Sequence, residues 1–469
     1  MIADLKPYLA YRESGLPWLG KVPKHWKTER AKWLFAKMAR PVREEDEIVT
    51  CFRDGTVTLR KNRRLRGYTE ATVEHGYQGI RKGDLVIHGM DAFAGAIGVS
   101  DSDGKGTPVY NVCHPSKGVN AQYYAHLIRV MSQSQWILAL AKGIRERSTD
   151  FRFETFGNQR VAFPPPDEQA AIVRFLNWAN GQLEKAIGAK HKVIMLLNEQ
   201  KQVIIHRAVT RGLDSSVPLK PSGIPWLGDI PQHWDVRRLR QLVKINPSKS
   251  ESNNLLRQDE DVTFLPMEKV RANGSIDSSL VLKAFTVWNG FTYFRRCDVI
   301  VAKITPCFEN GKGSFLEILP TQAGFGSTEF HVLRPGNFLL GAYLRMITSS
   351  KQFLVNGTNS MTGSAGQQRV PTDFIKNYPI ALPPIDEQTT ILKVVGSEIS
   401  DINITISRFE REIELLREYR TRLVADVVTG KLDVREAAAK LHDEALIDLP
   451  DNDSVEALED EPFEEEAFV

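Results

Sequence analysis

At 469 residues, with 42% hydrophobic and 25% charged residues, the chain has material for two or three domains with ordinary cores. No stretch approaches the roughly eighteen apolar residues of a membrane span, Met1 to Tyr11 carries no charged-then-apolar signal pattern, and the four cysteines (Cys51, Cys113, Cys297, Cys307) form no CxxC pair, so a soluble cytoplasmic protein with reduced thiols and no disulfide or zinc framework is expected. The formal net charge of +3 conceals an asymmetry: Asp443 to Val469 holds twelve acids and no Lys or Arg, and without them the charge of the rest rises to +15.

A basic body with an acidic, aromatic-poor end suits a polyanion-binding protein with a disordered tail; it equally suits a solvated surface with a solubilising tail. Charge alone leaves both open.

In chain order, the first marked segment is Ser14 to Trp26, SGLPWLGKVPKHW. Pro, Gly and Trp at fixed spacing predict a rigid, non-regular strap that docks a Trp into a core. His25 is read as a packed or capping residue. Short strands follow. IVTCF (Ile48 to Phe52), Asp54-Gly55 and TVTL (Thr56 to Leu59) form a hairpin signature, and Lys82-Gly83-Asp84 leads into Leu85, Val86 and Ile87. Asp84 is read as a turn cap rather than a catalytic acid.

On and just after that hairpin lies the sharpest basic cluster: Arg53, Arg60, Lys61, Arg63, Arg64 and Arg66, with Asn62 and Tyr68 interleaved. Such side chains can contact phosphates and, through Arg, guanine edges in a major groove. Arg145 and Arg147, in the loop before the next marker, are further candidates.

From Val161 the chain reads VAFPPPDEQAAI, then runs without proline to AVTRGLD at Asp214. Asp167 is a good N-cap, and Glu168 favours the positive helix end. The apolar seam through Leu176, Leu183, Ile187, Ile194, Leu197, Ile204 and Ala208 is interrupted by Asn180, Lys190 and Lys201. Gly181 and Gly188 each cost about 1 kcal/mol of helix propensity.

Then the pattern starts again. Ser222 to Trp234, SGIPWLGDIPQHW, matches nine of thirteen positions of the first strap at an offset of 208. A second run from Ile380 (IALPPIDEQTTI) to Asp433 (VVTGKLD) aligns with the first at an offset of 219 without a gap. Its seam through Val395, Ile399, Ile402, Ile406, Phe409, Ile413, Leu416, Leu423 and Val427 is broken once, by Arg420. Each run measures roughly 65 Å as a helix, longer than a small domain, so two antiparallel coiled-coil helices are expected. The shared ends bracket divergent middles. In the second middle, Arg296-Cys297-Asp298 echoes the first turn, and the binding candidates are Lys269, Arg271, Lys303, Lys312, Ser327, Thr328, Gln367 and Arg369.

No phosphate loop, no GxGxxG opening a helix, no HExxH and no Asn- or Asp-Pro-Pro-aromatic stretch occurs, so no catalytic residue, metal ligand or cofactor site is expected.

The two PWLG…P.HW straps, the two P-P-x-D-E-Q helix starts and the two V-T-x-x-L-D ends together resemble the specificity subunits of type I restriction–modification systems. The resemblance implies an α+β fold, with two mixed-β target-recognition domains separated by two long antiparallel coiled-coil helices in a pseudo-two-fold internal repeat. It implies a first recognition domain over 1–166, a helix over 167–213, a second domain over 214–385, a helix over 386–440 and an acidic tail over 441–469. It further implies a non-catalytic phage-defence subunit that reads a bipartite, asymmetric target in double-stranded DNA. Two methyltransferase subunits and two ATP-dependent restriction (translocase/nuclease) subunits are the implied partners. Cys297, where the first copy has Gly83, departs from the repeat, and the acidic tail is unexplained by it. The rival readings are a coiled-coil scaffold that grips protein or glycan, and a recognition subunit of another defence machine.

Overall fold

The computed structural model describes residues 5–63, 75–140, 150–364 and 366–441. The chain divides into two compact units, one of residues 1–190 and 411–469, the other of residues 191–410. Both boundaries fall inside long helices, so each unit owns one end of each helix.

In the first unit the strands Phe35–Lys37 (β1), Leu85–His88 (β4), Ile97–Val99 (β5) and Tyr110–Pro115 (β6) make an antiparallel sheet in the order β1-β6-β4-β5. Val49–Cys51 (β2) and Val57–Leu59 (β3) form the expected hairpin, with Val49 opposite Leu59. Helix α1 (Ala121–Gln133) follows the sheet, and Pro166–Arg211 is the long helix α2. Phe35, Leu85, Ile87, Cys113, Tyr123 and Tyr124 build the core between sheet and helix.

The second unit repeats the plan. Val243–Ile245 (β7), Val299–Ala302 (β9), Gly313–Phe315 (β10) and Phe330–Pro335 (β12) order as β7-β12-β9-β10, and Asp261–Leu265 (β8) pairs in parallel with Ala323–Gly326 (β11). Gly341–Thr348 (α3) stands where α1 stands, and Ile385–Val428 is the second long helix, α4. It stops short of the expected end at Lys440: Gly430 takes φ 78° after it, and a short helix, Arg435–Ala439 (α5), follows.

The sequence markers are the joints of this frame. Two three-residue strands bracket each PWLG turn, so the straps are more regular than expected, and Trp26 and Trp234 are 1% and 0% exposed. The Trp indole and the neighbouring His both bond the Glu of the helix start: Trp26 Nε1 to Glu168 at 3.0 Å and His25 to Glu168 at 2.8 Å, then Trp234 Nε1 to Glu387 at 2.9 Å and His233 to Glu387 at 2.8 Å. The Gln that follows holds the loop ahead of the sheet-covering helix, with Gln169 accepting the Asn120 amide and Gln388 the Leu340 amide, each at 2.9 Å. Asp167 and Asp386 are not the N-caps. The helices begin one residue earlier, at Pro166 and Ile385, which places each Glu at the third helical position.

Within each unit the helix ends run antiparallel. In the first, Glu184 pairs with Arg420 and Lys190 with Glu412, one partner advancing as the other retreats. In the second, Lys201 donates to Asn403 at 2.7 Å, while Ile205 and Val209 pack with Ile391 and Val395. Lys190, Lys201 and Arg420, which interrupt the apolar seams, therefore meet polar partners on the facing helix.

Candidate nucleic-acid interface

The strand-entry turns fix where the variable loops leave each sheet. Asp84 is fully buried, accepts the Arg81 amide at 2.8 Å and pairs with Arg40. Asp298 does the same with the Arg295 amide at 2.9 Å and Arg334. Both are structural turn acids. Cys297 adopts φ 69° where Gly83 adopts φ 89°, so the turn keeps its geometry despite the side chain.

In the first unit Arg53, Arg60, Lys61 and Arg63 gather on the β2–β3 hairpin. Arg63 reaches back to Asp54 at 2.5 Å with its guanidinium 4.7 Å from the Phe52 ring centre. Burial alone would raise the Asp54 carboxyl, but the Thr56 amide and Arg63 outweigh it and hold it below the usual carboxylate range. Arg53 meets Asp91 at 3.0 Å, Lys61 meets Glu47 at 2.5 Å, and Arg60 Nε donates to Thr50 at 3.3 Å. Exposed pairs of this kind are worth about 0–1 kcal/mol, so a phosphate can take the carboxylate's place. Arg64, Arg66, Arg145 and Arg147 lie outside the described residues.

In the second unit the candidates form two adjoining groups. Arg271 is exposed at a hairpin tip closed by a Val270–Ile276 bridge; Lys269 pairs with Asp277, and Lys312 Nζ approaches the Met267 carbonyl at 3.5 Å. The Ala302 amide bonds the Lys312 carbonyl at 2.9 Å, which sets Lys312 beside Lys303. There Lys303, Ser327, Thr328, Gln367 and Arg369 surround Glu329. Arg369 grips both Glu329 oxygens, at 3.0 Å through Nε and 2.8 Å through Nη2, and lowers the pKa of that carboxyl. Thr328 and Gln367 are exposed, and the Gln367 carbonyl accepts from Arg369 at 3.2 Å. Among the described residues no cluster of His, Cys, Asp and Glu could hold a metal ion, and no helix is long and apolar enough to cross a membrane.

Residues 231–415 match the family described as the type I restriction modification DNA specificity domain. The chain is 36% identical over 166 residues to the type I restriction enzyme EcoAI specificity subunit of Escherichia coli, across 35% of this chain and 28% of that one. It is 22% identical over 454 residues to the putative type I restriction enzyme MjaX specificity subunit of Methanocaldococcus jannaschii, covering 89% of this chain and 96% of that protein. In fold it resembles a chain from a solved structure on the complex assembly and conformational transition of the type I R-M system. That likeness has a TM-score of 0.59 at 14% identity and covers 87% of this chain and 98% of that one. The matched segment, residues 231–415, is thus similar to type I DNA specificity domains, and the rest of the chain shares the fold of such proteins. The match spans less than a third of the EcoAI subunit's length, so the resemblance there is local, whereas the MjaX match runs nearly end to end.

The frame residues are visible in the sequence as repeated letters, but the arginines beneath the loop tips, Arg129 and Arg345, are not. They sit at different positions of α1 and α3, and only the folded loops bring them under the tips.

Proposed function

We propose that this chain is the sequence-reading, non-catalytic subunit of a type I restriction–modification complex, with each β module reading one half of a bipartite, asymmetric target in double-stranded DNA. The observation that carries the reading is a frame repeated residue for residue, Trp26–Glu168 and Trp234–Glu387, bearing loop tips that do not repeat. A frame under common constraint with divergent tips suits two readers of two different half-sites.

In the first module Arg53, Arg60, Lys61, Arg63, Arg64, Arg66, Arg145 and Arg147 are the proposed contacts; in the second they are Lys269, Arg271, Lys303, Lys312, Ser327, Thr328, Gln367 and Arg369. Lys and Arg contacts to phosphate supply salt-dependent affinity, and contacts to base edges supply sequence choice. Two methyltransferase subunits would be held by the helix pair and two ATP-dependent restriction subunits would join them, in the cytoplasm. Methylation and cleavage, with their cofactors, would belong to those partners.

The test is half-site selectivity of the complex with its methyltransferase. Arg63→Ala with Lys61→Ala should weaken or relax reading of one half-site, and Arg271→Ala with Lys312→Ala the other. Second-module substitutions that altered both half-sites would defeat independent reading. Binding indifferent to DNA sequence and barely dependent on salt would favour the scaffold reading.

A further inference from the structure

Each hairpin tip rests on an arginine from the helix that follows the sheet. In the first unit Arg129 of α1 lies under the Asp54-Gly55 turn: a Cβ on Gly55 would come within 2.4 Å of its Nη1. In the second, Arg345 of α3 donates through Nη2 to the carbonyls of Ala272 at 3.3 Å and Gly311 at 3.1 Å, tying the Arg271 tip to the Lys312 loop. Cβ atoms on Gly274 and Gly313 would lie 3.5 Å from its Nε and Nη1, ordinary van der Waals distance, so both loops pack directly on the guanidinium. Ser314 fastens the same tip by donating to the Gly274 carbonyl at 2.7 Å.

The tips are equivalent in topology. Each follows a segment running parallel to the strand before the long sheet strand, Ile48 beside Lys105 in one unit and β8 beside β11 in the other. The arginines are not equivalent in sequence. Arg129 stands nine residues after Asn120, the residue held by Gln169, and Arg345 five residues after Leu340, the residue held by Gln388. Two different helix positions thus deliver the same cation to the same place.

Arg345 is an unusual structural cation. It makes no ion pair among the described residues, its buried Nη1 has no hydrogen-bond partner, and burial pulls its pKa down to about 10. Burial likewise lowers the pKa of Arg129, with Asp54 opposing. A guanidinium held out of water without a carboxylate costs stability, and an apolar side chain of similar length would fill the space without that cost. What the site lacks is a negative charge from outside.

We infer that Arg345, and Arg129 in the first unit, are positioning residues for DNA, each fixing its hairpin tip and lending it a weakly screened positive charge that a backbone phosphate seated on the tip neutralises. The inference rests on the DNA-reading function proposed above. The charge acts through the tip rather than by contact, because Nη1 is enclosed, and low-dielectric surroundings preserve its strength over that short distance.

The test compares wild type, Arg345→Met, Arg345→Lys and Arg129→Met in the full chain with its methyltransferase partner. Two quantities are read: melting temperature, and affinity for a mixed-sequence DNA duplex across a salt series. The expected result is a folded Arg345→Met with an unchanged or higher melting temperature and about a tenfold loss of affinity at low salt. Arg345→Lys should recover part of the loss, and Arg129→Met should repeat it. Wild-type affinity in both Met variants would overturn the inference. So would Arg345→Met and Arg345→Lys that lose folding and binding together, since the arginine would then be only a structural tie. A wild-type chain that bound no duplex in a salt-dependent way would instead bring down the DNA-reading function, and this inference with it.

Discussion

Glu168 accepts the indole N–H of Trp26 at 3.0 Å, and that one bond joins the strap to the first turn of the long helix. The same carboxylate accepts from His25 at 2.8 Å and from the Tyr8 hydroxyl, and it is only 4% exposed. Glu387 holds Trp234 and His233 in the same way but has a side chain 30% exposed. The two copies therefore share a joint and differ in how much water can repair it.

Glu168→Ala strands buried donors and should cost about 2–4 kcal/mol, whereas Glu387→Ala removes a partly exposed carboxylate, so water can enter the vacated space beside the buried Trp234 N–H, and should cost about 1 kcal/mol. Urea denaturation of each variant, followed by tryptophan fluorescence, measures the difference. Equal losses would show that burial of the carboxylate does not set the strength of the joint.

Gly181 and Gly188 lie inside α2, and a Cβ at either meets nothing within 4 Å. Ala at each position should then stabilise the first unit by about 1 kcal/mol, through helix propensity alone. Thermal unfolding of the single and double variants checks this; an unchanged or lower melting temperature would mean that the helix needs flexibility there.

His126 of α1 makes no bond through Nε2, and burial pushes its pKa down to about 4. An unfolded histidine titrates near 6.5. Below that value the unfolded chain takes up a proton that the folded chain refuses, so stability falls as pH drops from about 6.5 to 4, by roughly 3 kcal/mol at full extent. His126→Leu should remove that slope. Melting temperatures recorded across this window for both proteins decide it, and parallel curves would contradict the assignment.

Much of the frame could be read directly from letters, because Trp26, Glu168, Gln169 and their second copies make the same short bonds in both units. The seams were legible too, but Lys190, Lys201 and Arg420 looked like defects. Their partners Glu412, Asn403 and Glu184 lie more than two hundred residues away, and no local period reveals a pairing across that distance. Cys297 stood out as a departure from the repeat because glycine is the usual residue at positive φ; the turn holds it there through the Cys297–Leu316 and Leu316–Asp298 backbone bonds, both 2.8 Å. The basic cluster was legible as charge, but its ion pairs with Asp54, Asp91 and Glu47 were not. Arg345 was illegible altogether, since nothing in its sequence neighbourhood says that it will be buried under a distant hairpin.

The central claim is that two unlike modules on one repeated frame read two unlike half-sites. Methylome sequencing of cells that express the partner methyltransferase, with and without this chain, tests it most directly. The expected result is one chain-dependent motif made of two different half-sites separated by a fixed number of unspecified bases. A single uninterrupted motif, or a methylome that does not change when the chain is removed, would contradict it.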